Sequence, residues 1–208
     1  MTASSLKTAF SYISDVMAVN KEYLIKLDQQ NGDGDLGISM VNGFKGVCDY
    51  LSSAEEMEFG QLLMKASSVF NEIAPSSLGT IISFALMGMA QSLKGKAEVS
   101  LSEIAAAMKN GVDKIMERAG SKPGEKTVLD SLCPGVDTLV KNAELEAISA
   151  LKVAADAASE GAESTRQMRS VHGRAAYFKD KSIGILDGGA VVGNLIFEAL
   201  YQYAVNEV

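Results

Sequence analysis

Apolar residues recur every three or four positions along nearly the whole chain, the period of helices that bury one face. Leu6, Phe10, Ile13, Val16, Met17, Leu24 and Leu27 form one such stripe, with Lys7, Ser11, Asp15, Lys21 and Lys26 between them, and predict a first helix ending near Leu27. The same spacing predicts helices over 38–51, 56–70, 77–93, 101–118, 126–141, 144–168 and 190–205. No stretch alternates convincingly with the period of a strand, so the pattern predicts an all-α chain of eight helices, forming a single domain over residues 1–208.

The breaks carry turn chemistry: Asn31-Gly32, Ala74-Pro75-Ser76, Gly95, Gly120 with Pro123-Gly124, and Gly188-Gly189. The last helix is apolar almost all round and is expected to be central or covered on both sides. The alanines of the seventh helix, Ala147, Ala150, Ala154, Ala155, Ala157 and Ala158, serve either helix propensity or close helix approach. No charge falls between Ile73 and Leu93, yet Pro75, Ser76, Ser77, Gly79, Thr80, Ser83 and Gln91 make this stretch a buried helix rather than a membrane span.

A chain of 208 residues can bury a substantial core, and its 47% hydrophobic and 22% charged residues fit a globular protein. The ten methionines are expected to fill gaps in that core. A net charge of −7 argues against nucleic-acid or anionic-membrane partners, which need a basic face. Cys48 and Cys133 stand far apart without metal-ligand spacing, and the N-terminus lacks the apolar run of a signal peptide, so the expected location is cytoplasmic.

Against this background one segment stands out, Leu27-Asp28-Gln29-Gln30-Asn31-Gly32-Asp33-Gly34-Asp35-Leu36-Gly37. Gly32, Gly34 and Gly37 free the backbone to bend, so Asp28, Asp33 and Asp35 can converge. Three such carboxylates repel one another unless a cation neutralises them, and a hard divalent ion bound to a phosphorylated ligand meets that need. An EF-hand is excluded: counted from Asp33 or from Asp28, the closing Glu position holds Phe44 or Ser39. The bland alternative is a solvated acidic turn in which Asp35 caps the next helix.

Three further segments are candidates for anion contact. Gly120-Ser121-Lys122-Pro123-Gly124-Glu125-Lys126-Thr127 resembles a P-loop superficially, but Glu125 stands in the lysine position and no strand precedes it. Ser76 and Ser77 sit at a helix start, where capping or phosphate binding is available to them. Gly173-Arg174 places a guanidinium beside the Gly-rich connection that leads to Asp187. His172, the single histidine, has no nucleophile motif or metal partner and is expected to be a satisfied loop residue.

Taken in order, Asp28-x4-Asp33-Gly34-Asp35-x-Gly37, Pro123-Gly124-Glu125-Lys126-Thr127 with Asp130, Gly173-Arg174-Ala175-Ala176-Tyr177, and Ser182-Ile183-Gly184 leading to Asp187 resemble the DhaL, or Dak2-domain, family, the nucleotide-binding subunit of dihydroxyacetone kinase. The resemblance implies a closed barrel of eight antiparallel helices with ADP or ATP at one rim, and two Mg²⁺ ions on Asp28, Asp33 and Asp35. It further implies phosphate contact by Ser76 or Ser77, a covering loop through Gly124, Lys126 and Thr127, and a pocket lined by Arg174 and Asp187. Asp28, Asp33, Asp35 and Arg174 would then carry phosphoryl transfer to dihydroxyacetone or a related ketose held by a DhaK-like subunit, with ADP recharged by a DhaM-like phosphocarrier. Homodimerisation is left open, as is an alternative reading as a nucleotide-binding regulatory module without turnover.

The chain also departs from the family pattern. Leu36 replaces a histidine, Ser39 an asparagine and Glu125 an aspartate; Ala74-Pro75-Ser76-Ser77 stands for a Gly-Gly-x-Ser-Gly loop; and Gly188 replaces a proline after Asp187.

Overall fold

The computed structural model describes residues 1–55 and 58–208, and among them it is helical with no strand, only an isolated bridge between Thr2 and Glu98. The helices are α1 (Ala3–Val19), α2 (Lys21–Asp28), α3 (Leu36–Ser53), α4 (Phe59–Ile73), α5 (Ser77–Ser92), α6 (Leu101–Ala119), α7 (Leu129–Lys141), α8 (Ala147–Ser164) and α9 (Gly188–Glu207). Short 3-10 turns span Thr165–Gln167 and Arg174–Ser182.

The expected all-α architecture is present, with three informative shifts. The first helix divides at Asn20, whose backbone leaves helical geometry and whose side-chain amide donates to Val16 O. The predicted start at Glu56 lies outside the described residues, and α4 is capped by Glu58, whose carboxylate accepts the Gly60 and Gln61 amides. The helix expected from Lys126 begins instead at Leu129, because Lys126 has φ of 61° and cannot extend a right-handed helix.

Elsewhere local chemistry behaves as the sequence suggests. Ser100 and Glu103 make a reciprocal capping box at the start of α6, and Gly120 ends it in the left-handed conformation.

Helix neighbours form a ring: α1 packs on α3, then each helix from α3 to α9 packs on the next, and α9 returns to α1. The short α2 leans on α3. This closed adjacency agrees with the barrel implied by the resemblance. The last helix is flanked by α1, α7 and α8, and Phe197, Val192 and Ala199 on it are fully buried. Met17 and Met40 are fully buried as expected, whereas Met64 is exposed on the outer face.

Small residues let the ring close tightly. Ala150, Ala154 and Ala158 form a fully buried stripe on α8, so the close-approach role holds for these three. Two core clusters share the interior, one built from α1 to α5 with α9 and the other mainly from α6 to α9. Between them lies an apolar void of about 140 Å³, bordered by Ile13, Ile82, Leu86, Val136 and Leu200 among others. Both cysteines are free, and no helix among the described residues is long and apolar enough to cross a membrane.

Candidate functional site

At one end of the ring, the connections α2–α3, α4–α5, α6–α7 and α8–α9 surround a cleft of about 730 Å³. Each of these connections leads into a helix, so the first residues of four helices reach the cleft: Leu36 of α3, Ser77 and Leu78 of α5, Val128 just ahead of α7, and Gly188 and Gly189 of α9. Unpaired amide N–H groups and the positive ends of helix dipoles are concentrated here, which attracts anions. By contrast α2 ends here, at Asp28, where the negative end of its dipole favours a cation.

The aspartate segment folds as a tight knot. Gly32 N donates to Asp28 O at 2.6 Å and Gly34 N to Asp28 Oδ2 at 2.7 Å, bending the chain back over the end of α2. Glycine is required at both places: a Cβ at Gly32 would fall 2.1 Å from Asp28 Oδ1, and Gly34 has φ of 79°. One carboxylate oxygen each from Asp28, Asp33 and Asp35 then lies within 4.8 Å of the others.

Asp35 occupies the N-cap position of α3 but makes no capping hydrogen bond, so the capping alternative does not use its carboxylate. Burial raises the Asp35 carboxyl above its ordinary range, and the charges of Asp33 and Asp28 raise it further against the opposing pull of Arg174. Such an oxygen-only, mutually repelling set is what a hard divalent cation neutralises, and the residues present fit Mg²⁺. Arg174, at the start of the 174–182 turn, forms an ion pair with Asp33.

The cleft unites nearly all the expected residues: Asp28, Asp33, Asp35, Ser76, Ser77, Lys126, Thr127, Arg174 and Asp187. Ser76 caps α5 by accepting Gly79 N at 3.1 Å, and Asp187 caps α9 by accepting Ala190 N at 2.8 Å. The Asp187 carboxyl is pushed up to about 6, chiefly by desolvation.

Two residues of the expected covering loop are held by bonds within the protein. Gly124 lies off the cleft wall and donates to Asp130 Oδ1 at 2.5 Å, while Asp130 Oδ2 accepts Thr127 N at 2.6 Å, so Asp130 shapes this loop. The Lys126 ammonium, 3% exposed with its residue, is held by the carbonyls of Thr165, Met168, Ser182 and Ile185 instead of standing free for phosphate. Burial lowers its pKa.

The cleft also includes residues that the sequence alone did not place there. Asn31, Asn71, Thr80 and His172 line it, with Thr80 Oγ1 donating to Asn71 Oδ1 at 3.2 Å. His172 is the satisfied loop histidine expected, its Nε2 2.6 Å from Glu125 Oε2, and this pair ties the 120–127 loop to the 168–187 segment. Its place beside Arg174 was the signal available, and for Asn71 the signal was its position one turn ahead of the Ala74-Pro75-Ser76 break.

A helical ring whose rim combines a carboxylate cluster with converging helix starts defines a class of all-α domain suited to a metal-bound anion. The profile described as DAK2 domain matches residues 30–202, and the chain belongs to that family. It is 30% identical over 178 residues to the PEP-dependent dihydroxyacetone kinase, ADP-binding subunit DhaL, of Escherichia coli, covering 85% of each chain. It is also 30% identical to D-erythrulose kinase of Mycolicibacterium smegmatis, where it matches 88% of this chain but 32% of that protein. The crystal structure of the dihydroxyacetone kinase from C. freundii in complex with AMP-PNP and Mg²⁺ shares the fold, with a TM-score of 0.73 at 22% identity over 97% of this chain and 33% of that one. The chain thus spans most of a free-standing subunit and about a third of the longer kinases.

Proposed function

We propose that this chain is the Mg²⁺- and adenine-nucleotide-binding subunit of a dihydroxyacetone-kinase-type phosphotransferase. It passes a phosphoryl group to dihydroxyacetone or a related small ketose held by a DhaK-like partner subunit. The observation that carries this reading is the meeting of Asp28, Asp33 and Asp35 with four helix starts in one cleft. The name of the Escherichia coli relative supports ADP as the nucleotide and a PEP-driven phosphocarrier, DhaM-like, as the source of phosphoryl groups. The erythrulose kinases among the relatives support a small ketose as acceptor.

Asp28, Asp33 and Asp35 would hold the metal, as one ion or the pair implied by the resemblance. When bound, Mg²⁺ neutralises phosphate oxygens and aligns them for in-line transfer. Arg174 adds a fixed positive charge on the same side of the cleft. Ser76, Ser77, Thr127 and the amide of Gly188 orient the phosphates, and Asp187 anchors the start of α9 through the Gly189 and Ala190 amides.

Native mass spectrometry of the purified protein tests the reading. Mg·ADP should travel with the chain and be stripped by EDTA; a chain that takes up neither ADP nor ATP in millimolar Mg²⁺ overturns it. Transfer is then assayed with a ketone-binding subunit and dihydroxyacetone or erythrulose. Leu36, an apolar residue on the cleft wall where the family pattern has histidine, favours a second reading as a regulatory nucleotide-binding module. Retained nucleotide with no transfer to either ketose selects that second reading.

A further inference from the structure

We infer that Lys126 is a positioning residue whose ammonium, acting as a tethered monovalent cation, gathers the two ends of the 165–185 segment and so sets Arg174 and Asp187 at the cleft. The carbonyls come from both ends: Thr165 O at 2.7 Å and Met168 O at 3.2 Å at the entry, Ser182 O at 2.8 Å and Ile185 O at 2.6 Å at the exit. Arg174 lies on the loop so closed, and Asp187 follows it by two residues, its N–H donating to Thr165 Oγ1 at 3.0 Å.

The chemistry of the cage selects lysine. Four carbonyl oxygens facing one point repel one another, and although Thr165 O also accepts the Met168 amide at 3.1 Å, the convergence of all four is stabilised by a compact cation. An ammonium offers three rotatable donors around a point charge, which four acceptors can share; a planar guanidinium cannot. The backbone records the same commitment, because Lys126 holds φ of 61°, a conformation costly for a side-chain-bearing residue and retained because the side chain is fixed at its far end. Asp130 fixes the other side of the turn through the Gly124 and Thr127 amides, so Lys126 leaves a rigid base.

This assignment deepens the proposed nucleotide site and rests on it only for its effect on binding; the cage itself is open to test without nucleotide. Lysine acylation footprinting of the wild-type chain, with and without Mg·ADP, is the first measurement. Lys126 should label about tenfold or more slowly than exposed Lys45 in both states, because its ammonium is buried and hydrogen-bonded. Labelling in the free protein that ADP suppresses would overturn the inference, for it would show an ammonium free to meet phosphate. Failure of wild-type ADP binding sinks the nucleotide reading but leaves the footprint interpretable.

Variants supply the functional readout. Lys126→Gly removes the ammonium while easing the backbone, and ADP affinity should fall about tenfold or more as the 165–187 amides exchange faster in the unliganded protein. Added n-butylammonium should restore both, whereas tetramethylammonium, lacking N–H donors, should not; a loss unaffected by either overturns the positioning role. Lys126→Arg should behave like Lys126→Gly, and full affinity in Lys126→Arg would show that charge alone suffices and defeat the inference. Should neither variant fold, the wild-type footprint still decides.

Discussion

Leu36 Cδ2 lies 2.5 Å from the place a Cβ on Gly188 would occupy, so the starts of α3 and α9 meet with room for one side chain between them. Both residues depart from the family pattern, and they are neighbours across the cleft wall. Gly188→Ala should cost about 1 kcal/mol because Leu36 must move, and much less in a Leu36→Ala background. Urea unfolding of the two single variants and the double variant measures the coupling; strictly additive effects would separate the two departures.

Asp35→Asn should act in opposite directions on the free and liganded protein. The folded state raises the Asp35 carboxyl, so at neutral pH its charged form costs stability, a cost relieved as pH falls through the raised value. Removing the charge should therefore raise the midpoint of thermal unfolding without ligand and abolish the further rise given by Mg·ADP. Scanning fluorimetry with and without Mg·ADP reads both, and an undiminished ligand-induced rise would remove Asp35 from the metal site.

Asp187 gives a pH signature of its own. Its carboxyl moves from an ordinary 3.8 to about 6 on folding, so between these values the native chain binds the proton that the unfolded chain releases. This contribution stabilises the fold as pH falls from 6 towards 4, the reverse of a salt-bridged carboxylate. Asp187→Asn retains a good helix cap and should flatten this part of the profile, as followed by urea unfolding across the same range. An unchanged slope would assign the acid dependence to other groups.

Gly161 sits where α8 crosses the start of α7, and a Cβ there would lie 2.1 Å from Asp130 O and 2.7 Å from Pro134 Cγ. Backbone cannot yield as a side-chain tip does, so Gly161→Ala should destabilise by about 1–3 kcal/mol. Because Asp130 also holds the Gly124 and Thr127 amides, ADP affinity should fall in the folded fraction as well. Denaturation and calorimetric titration separate the two effects, and wild-type stability in Gly161→Ala would refute the close approach.

What the sequence disclosed depended on the range of the interactions involved. Helical stripes such as Leu6, Phe10, Ile13 and Met17 are local periodicities, and the helices they predict are present. The break at Asn20 was hidden because it rests on one local side-chain bond to Val16 O and a single non-helical residue, while the apolar spacing continues beyond it to Leu24 and Leu27.

The aspartate cluster was legible because its three charges lie within eight residues, where repulsion can be argued without knowing the fold. The carbonyl partners of Lys126 were hidden for the opposite reason. All four lie 39 to 59 residues away, and a lysine after Pro-Gly looks the same in sequence whether it meets a phosphate or a cage of peptide oxygens. Asn71 reaches the cleft from the last turn of α4, where Thr80 of the next helix donates to it, but beyond its place ahead of the break nothing in the sequence separates it from the other polar residues of α4.

The four helix starts at the cleft place its attraction for anions largely in main-chain amides, which every residue but proline supplies. Side chains there can therefore drift, as at Leu36, Gly188 and the 75–77 turn, without discharging the field that draws an anion in. Novelty in what the rim accepts becomes cheap for such a scaffold, since recognition can be rewritten on the walls while the attraction stays with the peptide chain itself.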